Sequence, residues 1–213
     1  MPTLESLLQQ SAERHHNHLC PRQVLGARMG MYAGELLGLE FPQSDKRVFC
    51  FVETDGCLTD GIAVATGCWW GSRTMRLVDY GKTAATFIDT HTQRGLRITP
   101  LITARQRACA YAPDAPDKWH AQLHAYQIMP TCELLYAQHV KLTLDLQKII
   151  SQHGLRVVCE QCGEDIINER FVERGGARLC RACADGAYYQ IDAIPLELFR
   201  LPLRVPLAAS SPR

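Results

Sequence analysis

Apolar residues recur three and four positions apart in two early stretches, and that spacing puts them on one face of a helix. The first helix is expected over residues 4–14. The second begins after Cys20, with Pro21 at its first position, where a missing N–H costs nothing. It carries Val24, Leu25, Met29, Tyr32, Ala33, Leu36 and Leu37 and reaches Gly38, a residue suited to a helix end. Residues 48–53 (VFCFVE) then read as a strand. Asp55 and Gly56 mark a turn, and a short helix is expected over 59–67. Residues 74–79 and 83–90 read as strands joined at Tyr80-Gly81, and 96–99 as a further short strand. Helical patterns occupy roughly 101–110, 117–128 and 131–138, and 139–144 alternates like a last strand. Strands clustered mid-chain with helices around them predict an α+β core rather than repeated βαβ units.

Composition adds little to that picture and removes several function classes. Of 213 residues, 46% are hydrophobic and 21% charged, as expected of an ordinary globular chain with a core of useful size. A formal net charge of +1 supplies no overall field to draw the protein onto DNA or a membrane surface. No apolar run approaches the roughly 18 residues needed to span a bilayer. The first residues, MPTLESLLQQSAERHHNH, lack the basic start and apolar block of a signal peptide, so the cytoplasm is the expected compartment.

Ten cysteines change the picture. In a reducing compartment thiols stay free, and metal binding or reactive thiols become the leading explanations. Cys50, Cys109 and Cys132 read as spectators in apolar or helical contexts. The last four follow the pattern Cys159-x2-Cys162, seventeen intervening residues, Cys180-x2-Cys183. Two C-x-x-C pairs at this separation are the pattern of a tetrahedral structural zinc site. Gly163 permits the left-handed turn of a knuckle, Gly175-Gly176 turns a hairpin, and 182–188 suits a helix carrying the second pair, which together make a treble clef. Two unrelated, redox-active thiol pairs are the alternative. Between Cys159 and Asp185 four arginines face six acids, so the finger lacks the clustered positive charge that phosphate binding needs. Nucleic acid is therefore an unfavoured partner. The chain divides into a core at 1–150 and a segment at 151–213 holding the finger and a Pro-rich tail. In the tail, Leu196, Leu198, Phe199, Leu201 and Leu203 are expected to pack on the core or across a second copy.

A second constellation lies near the N-terminus. In His15-His16-Asn17-His18-Leu19-Cys20, the side chains of His16, His18 and Cys20 would share a face if the chain were extended. All three are metal-ligand types, and Cys20 sits where a helix start favours thiolate. A polar loop with solvated histidines and a capping cysteine reads equally well. Further on, ETDGC at 53–57 and TGC at 66–68 place Cys57 and Cys68 at either end of the short helix, and DYGK at 79–82 supplies another turn.

Taken in order, HNHLCP at 16–21, ETDGC, TGC and DYGK resemble the motifs of the FmdE-like family, named after a component of formylmethanofuran dehydrogenase, many of whose members also carry a C-terminal treble-clef finger. The match spans residues from about 14 to 190. Asn17 and Arg22 stand where that family has glycines, and Trp69-Trp70 where smaller or polar residues are usual. The resemblance implies a mixed-sheet α+β core, often dimeric. It also implies a cleft gathering His16, His18, Cys20, Asp55, Cys57, Cys68 and Lys82. On this reading His16, His18, Cys20, Cys57 and Cys68 would hold a second divalent metal, with Asp55 or Asp60 as general base and Lys82 nearby. The expected role is an enzyme or accessory subunit in one-carbon or molybdoenzyme metabolism, acting on an unidentified small molecule or with a redox-enzyme partner. The competing reading is a non-catalytic scaffold that uses its finger for protein contacts.

Overall fold

The computed structural model describes residues 2–151, 154–168 and 170–190. The tail residues from Leu196 to Leu203 lie outside the described residues. The chain divides into two compact units, Met1–Ile150 and Ser151–Arg213.

The first unit is a five-stranded mixed sheet with helices. Its elements run α1 (Leu4–Glu13), α2 (Pro21–Leu37), β1 (Val48–Val52), α3 (Cys57–Thr66), β2 (Met75–Leu77), β3 (Ala85–Asp89), β4 (Gly95–Pro100), α4 (Ala104–Tyr111), α5 (Lys118–Ile128), α6 (Thr131–Leu134), β5 (Leu135–Val140) and α7 (Leu146–Ser151). Thr3 caps α1, its hydroxyl oxygen accepting from the Ser6 N–H at 3.2 Å, and α2 ends on Gly38 at φ 70°. The sheet order is β2-β1-β3-β4-β5. β1 pairs parallel with β2 and antiparallel with β3, and the β3–β4 and β4–β5 pairs are antiparallel.

Two sequence expectations are corrected here. Residues 74–79 and 83–90 do not form a hairpin, because β1 lies between β2 and β3. The Tyr80 and Lys82 amides donate instead to the Glu53 carbonyl, at 3.0 and 3.2 Å, which anchors the DYGK turn to the end of β1. The helical pattern at 131–138 yields a single turn, α6, after which Leu135–Val140 pairs along the whole of β4. Ladder pairing decides that segment over its local periodicity.

The core lies between the sheet and α2 and α3. Val24, Met29, Leu58, Ile62, Met75, Phe87, Leu96 and Ile98 are all buried in it. Each such side chain stabilises the fold by roughly 1.5–3 kcal/mol relative to exposure. Arg28 on α2 donates to the Tyr126 and Met129 carbonyls at 2.9 Å and to the Thr131 hydroxyl at 3.1 Å, fastening the C-terminal end of α5 to α2.

The second unit holds two short hairpins and a helix. β6 (Arg156–Val158) pairs with β7 (Asp165–Ile167), and β8 (Val172–Arg174) with β9 (Ala177–Leu179) around Gly175-Gly176, both at positive φ. α8 (Arg181–Asp185) follows, capped by the Cys180 sulfur, which accepts from the Cys183 N–H. This is the knuckle, hairpin and helix of a treble clef.

Candidate functional site

Two helices without side chains at their crossing set the geometry of the core site. A Cβ on Gly61 would sit 2.1 Å from the Gln23 carbonyl oxygen, and one on Gly26 would sit 2.2 Å from that of Leu58. The backbones of α2 and α3 therefore touch. Contacts advance together along the two chains, Gly26 against Leu58 and Ile62, Gly30 against Ala65 and Thr66. The helices consequently run side by side in one direction, with both N-termini at the same end. Cys20 caps α2, and Cys57 is the first residue of α3.

The two thiols lie at that end, close enough for Cys20 to bear on the ionisation of Cys57. Burial pushes the Cys57 thiol up, and the hydrogen bond and charge shared with Cys20 push it further. Cys20 is fixed by its own N–H, which donates to Gln23 Oε1 at 2.6 Å. The Gln23 amide donates in turn to the Ser11 carbonyl and hydroxyl, both at 3.1 Å, which ties α2 to α1. One turn beyond Cys57, Asp60 accepts a hydrogen bond of 2.7 Å from His15 Nε2. The Asp60 side chain is 17% exposed and that of His15 36%. The Cys20 and Cys57 thiols and the hydrogen-bonded His15–Asp60 pair thus lie toward the end where two helix N-termini supply partial positive charge.

The other expected members lie elsewhere. His16 and Asn17 have φ of 53° and 63°, so the chain turns between His15 and Cys20. The common face that an extended chain would give His16, His18 and Cys20 does not form. His16 and His18 are exposed, and His18 stacks on Trp119 with 5.8 Å between ring centres. Asp55 and Lys82 are exposed on their turns, Lys82 Nζ lying 5.8 Å from the Tyr80 ring centre. Cys68 follows the C-terminal end of α3, separated from Cys57 by the ten residues of that helix, about 15 Å of rise. Its thiol donates to the Val48 carbonyl at 3.4 Å, and burial pushes it up to about 11. It lines a separate cavity of about 390 Å³ with Trp69, whose ring lies under the Arg14 guanidinium.

Spacing does not single out His15, because it favours the alternating pair after it. The signal available is Asp60, three positions after Cys57 and hence on the same side of α3. Glu53 is the other informative residue. It is buried at the end of β1 and accepts from Arg97 Nε and Nη2 at 2.6 and 2.7 Å, holding the strand from which the ETDGC turn departs.

In the second unit Cys159, Cys162, Cys180 and Cys183 place their sulfurs within 4.8 Å of one another. Among the described residues they are the group of three or more histidine, cysteine or acidic side chains drawn this close. The Cys162 and Cys180 sulfurs are 3.9 Å apart, against the ~3.8 Å separation that a tetrahedron with Zn–S bonds of about 2.3 Å requires. Gly163 at φ 76° closes the first knuckle. Backbone N–H groups of Cys162 and Cys180 aimed at its sulfur bring the Cys159 thiol down to about 6. Sharing with the Cys180 sulfur pushes Cys183 up to about 12. The donor set fits zinc: four soft sulfurs at tetrahedral spacing, one of them held ready as thiolate.

A second concavity, of about 380 Å³, has Pro21 and Thr54 in its wall, the residues one after Cys20 and three before Cys57. Arg22 and Arg105 also line it.

Comparison with known proteins places these features. Residues 15–143 match the family described as FmdE, Molybdenum formylmethanofuran dehydrogenase operon. Residues 154–189 match the prokaryotic dksA/traR C4-type zinc finger. A solved structure of a tungsten formylmethanofuran dehydrogenase FmdE-like protein from Syntrophus aciditrophicus superposes with a TM-score of 0.56 at 20% identity, covering 89% of this chain and 96% of that one. At that identity the likeness concerns the fold. A probable S-adenosyl-L-methionine-binding protein of Archaeoglobus fulgidus is 38% identical over 90 residues, 41% of this chain. The match spans a quarter of that relative's length. No helix among the described residues is long and apolar enough to cross a membrane.

Proposed function

The chain belongs to the FmdE family, and on that footing we propose that its core binds a divalent metal at the paired N-termini of α2 and α3. The finger's zinc would stabilise the second unit. The observation that carries the reading is that the packed, parallel α2 and α3 start from Cys20 and Cys57 at one end, with the His15–Asp60 hydrogen bond one turn along α3. Two thiolates and one imidazole or carboxylate would fill three positions of a zinc-like ion and leave one for water or substrate, the arrangement that separates catalytic from structural sites. His15 and Asp60, hydrogen-bonded at 2.7 Å, would supply a general base beside that open position. His16, Asp55 and Lys82 lie on flanking turns from which they would meet a bound substrate, not the metal.

The biochemical setting is an enzyme or accessory subunit of one-carbon or molybdoenzyme metabolism, in a reducing cytoplasm and as a homodimer. Support comes from the family's operon and from the solved neighbour's description as an FmdE-like protein of a formylmethanofuran dehydrogenase. Metal content per chain tests the reading. Two equivalents are expected in reduced protein, and Cys57→Ser should remove one and leave the other. A single equivalent, lost only on substituting finger cysteines, would refute it.

A second reading, the scaffold, draws on a different observation. Leu155, Val158, Ile167 and Tyr189 of the second unit are 45, 56, 47 and 51% exposed. That is a large apolar area for a finger with negative net charge, and it suits a protein partner. Co-purification of a redox-enzyme component, with no turnover by the isolated chain, would favour it.

A further inference from the structure

We infer that the concavity beside the thiol pair is a binding site for the carboxylate or phosphate group of a small molecule, held by Arg22 and Arg105. Most arginines of the first unit are committed to protein partners. Arg28, Arg47, Arg94, Arg97 and Arg107 make hydrogen bonds or ion pairs, Arg76 donates to the Arg73 carbonyl, Arg73 is likewise engaged, and Arg14 lies over Trp69. Among the described residues of this unit, Arg22 and Arg105 are the two arginines without a hydrogen bond, ion pair or ring contact. They belong to different helices, α2 and α4, yet both line the same cavity of about 380 Å³. That volume is in the range of small-ligand sites.

The rest of the lining fits an oxyanion. No aspartate or glutamate contributes to it. The Thr54 and Thr83 hydroxyls have no protein partner among the described residues, and the Gln122 amide N–H2 is free because the bond with the Tyr126 hydroxyl uses its oxygen. Arg22 is also in the first turn of α2, where the helix dipole favours negative charge. Arg22 and Arg105 thus bring two guanidinium forks to one cavity. Together with two hydroxyls and an amide, and with no acid among them, they pair well with a planar carboxylate or a phosphoryl group. This inference deepens the proposed function by naming the ligand class of its cleft. The wall at Pro21 and Thr54 would place the rest of the ligand toward Cys20 and Cys57.

Calorimetric titration of the full zinc-loaded chain with inorganic phosphate and with succinate, at low ionic strength, tests it. One saturable site is expected, and Arg22→Gln and Arg105→Gln should each weaken it by about tenfold or more, as loss of a charge-assisted hydrogen bond does. Lys118→Gln, which removes an exposed charge from α5, should leave it unchanged. Preference for phosphate or for succinate assigns the head group, and either supports the inference. Absence of saturable binding, or equal weakening by Lys118→Gln, overturns it. Repeating the titration on Cys57→Ser separates the two claims: unchanged anion binding there, with the core metal gone, supports this site independently of the metal reading. Both arginines are exposed, so thermal melts of the variants should match the parent and show that the fold is intact.

Discussion

Substituting Gly61 by Ala tests how the core site is built. The added Cβ would stand 2.1 Å from the Gln23 carbonyl oxygen, 2.7 Å from the Ala27 amide nitrogen and 3.0 Å from the Gln23 carbonyl carbon. All three are backbone atoms of α2, so no rotamer change relieves them. Reaching ordinary contact would require the helices to part along a buried seam. Overpacking of this kind costs about 1–3 kcal/mol, with the upper end expected where the obstacle is backbone. Alanine's better helix propensity returns about 1 kcal/mol, leaving a net loss of roughly 2 kcal/mol. Gly34→Ala is the internal comparison. Its obstacles are the Phe41 ring at 2.9 Å and the Leu39 carbonyl oxygen at 3.1 Å, well beyond the 2.1 Å at Gly61, so its net loss should be clearly smaller. Urea denaturation followed by far-UV circular dichroism reads both values. A second measurement follows the site: mild oxidation should link Cys20 to Cys57 in the parent, and the parted helices of the Gly61 variant should slow that linkage. A Gly61→Ala protein as stable as the parent, with unchanged disulfide formation, would refute the claim that backbone contact brings the thiols together.

Arg28→Ala should destabilise the core by about 2 kcal/mol, since it strips the Tyr126, Gln127 and Met129 carbonyls and the Thr131 hydroxyl of a charged donor; denaturant midpoints check this. Burial alone would raise the Asp89 carboxyl, but hydrogen bonds from Arg47, Thr92 and the His91 amide bring it down to about 2. A lowered carboxylate contributes stability that is full above its unfolded value near 4 and is lost as pH falls through 2. Roughly 2 kcal/mol should therefore disappear between about pH 4 and pH 2, and Asp89→Asn should flatten that part of the profile. Chelation of zinc should melt the second unit while leaving the signals of the first, readable by amide NMR, because four thiolates gain their folding energy from the ion.

The helices are legible in the sequence where period and punctuation agree. Pro21 opens α2 and Gly38 closes it, as the spacing requires. Sheet order is not legible. β1-α3-β2 is a parallel crossover, and nothing in the strand at 74–79 distinguishes a neighbour across a hairpin from one across a helix. The parallel ladder of β1 with β2 reveals it, through backbone bonds such as Cys50 N–H to the Thr74 carbonyl at 2.8 Å and Val78 N–H to the Val52 carbonyl at 2.9 Å. The finger is legible to its four ligands because each C-x-x-C pair is a local geometric unit. The core site is half legible: Cys20 and Cys57 stand out, while His15 does not. The reason is that alternation at 16, 18 and 20 predicts a shared face only in extended chain, and φ of 53° and 63° at His16 and Asn17 removes that premise. The glycines at 26, 30 and 34 are visible at helical spacing, but their meaning needs Gly61 on the facing helix.

The two sulfur clusters differ in a way that bears on what each can do. In the finger, four sulfurs supply a full tetrahedron, and backbone N–H groups point at Cys159 before any ion arrives. A site that closes its own coordination sphere has nothing left to offer a substrate. In the core, two helix N-termini bring one thiol each to the same end of the glycine seam. The remaining donors come from His15, beyond α1, and from Asp60, and these already bond to each other. Drawing both of them onto the proposed metal would break that 2.7 Å bond, whereas leaving one behind would keep a hydrogen-bonding group beside the position left open. If the core holds the proposed metal, cysteine would be saturated in one unit and incomplete in the other, and only the incomplete set could act on a bound small molecule.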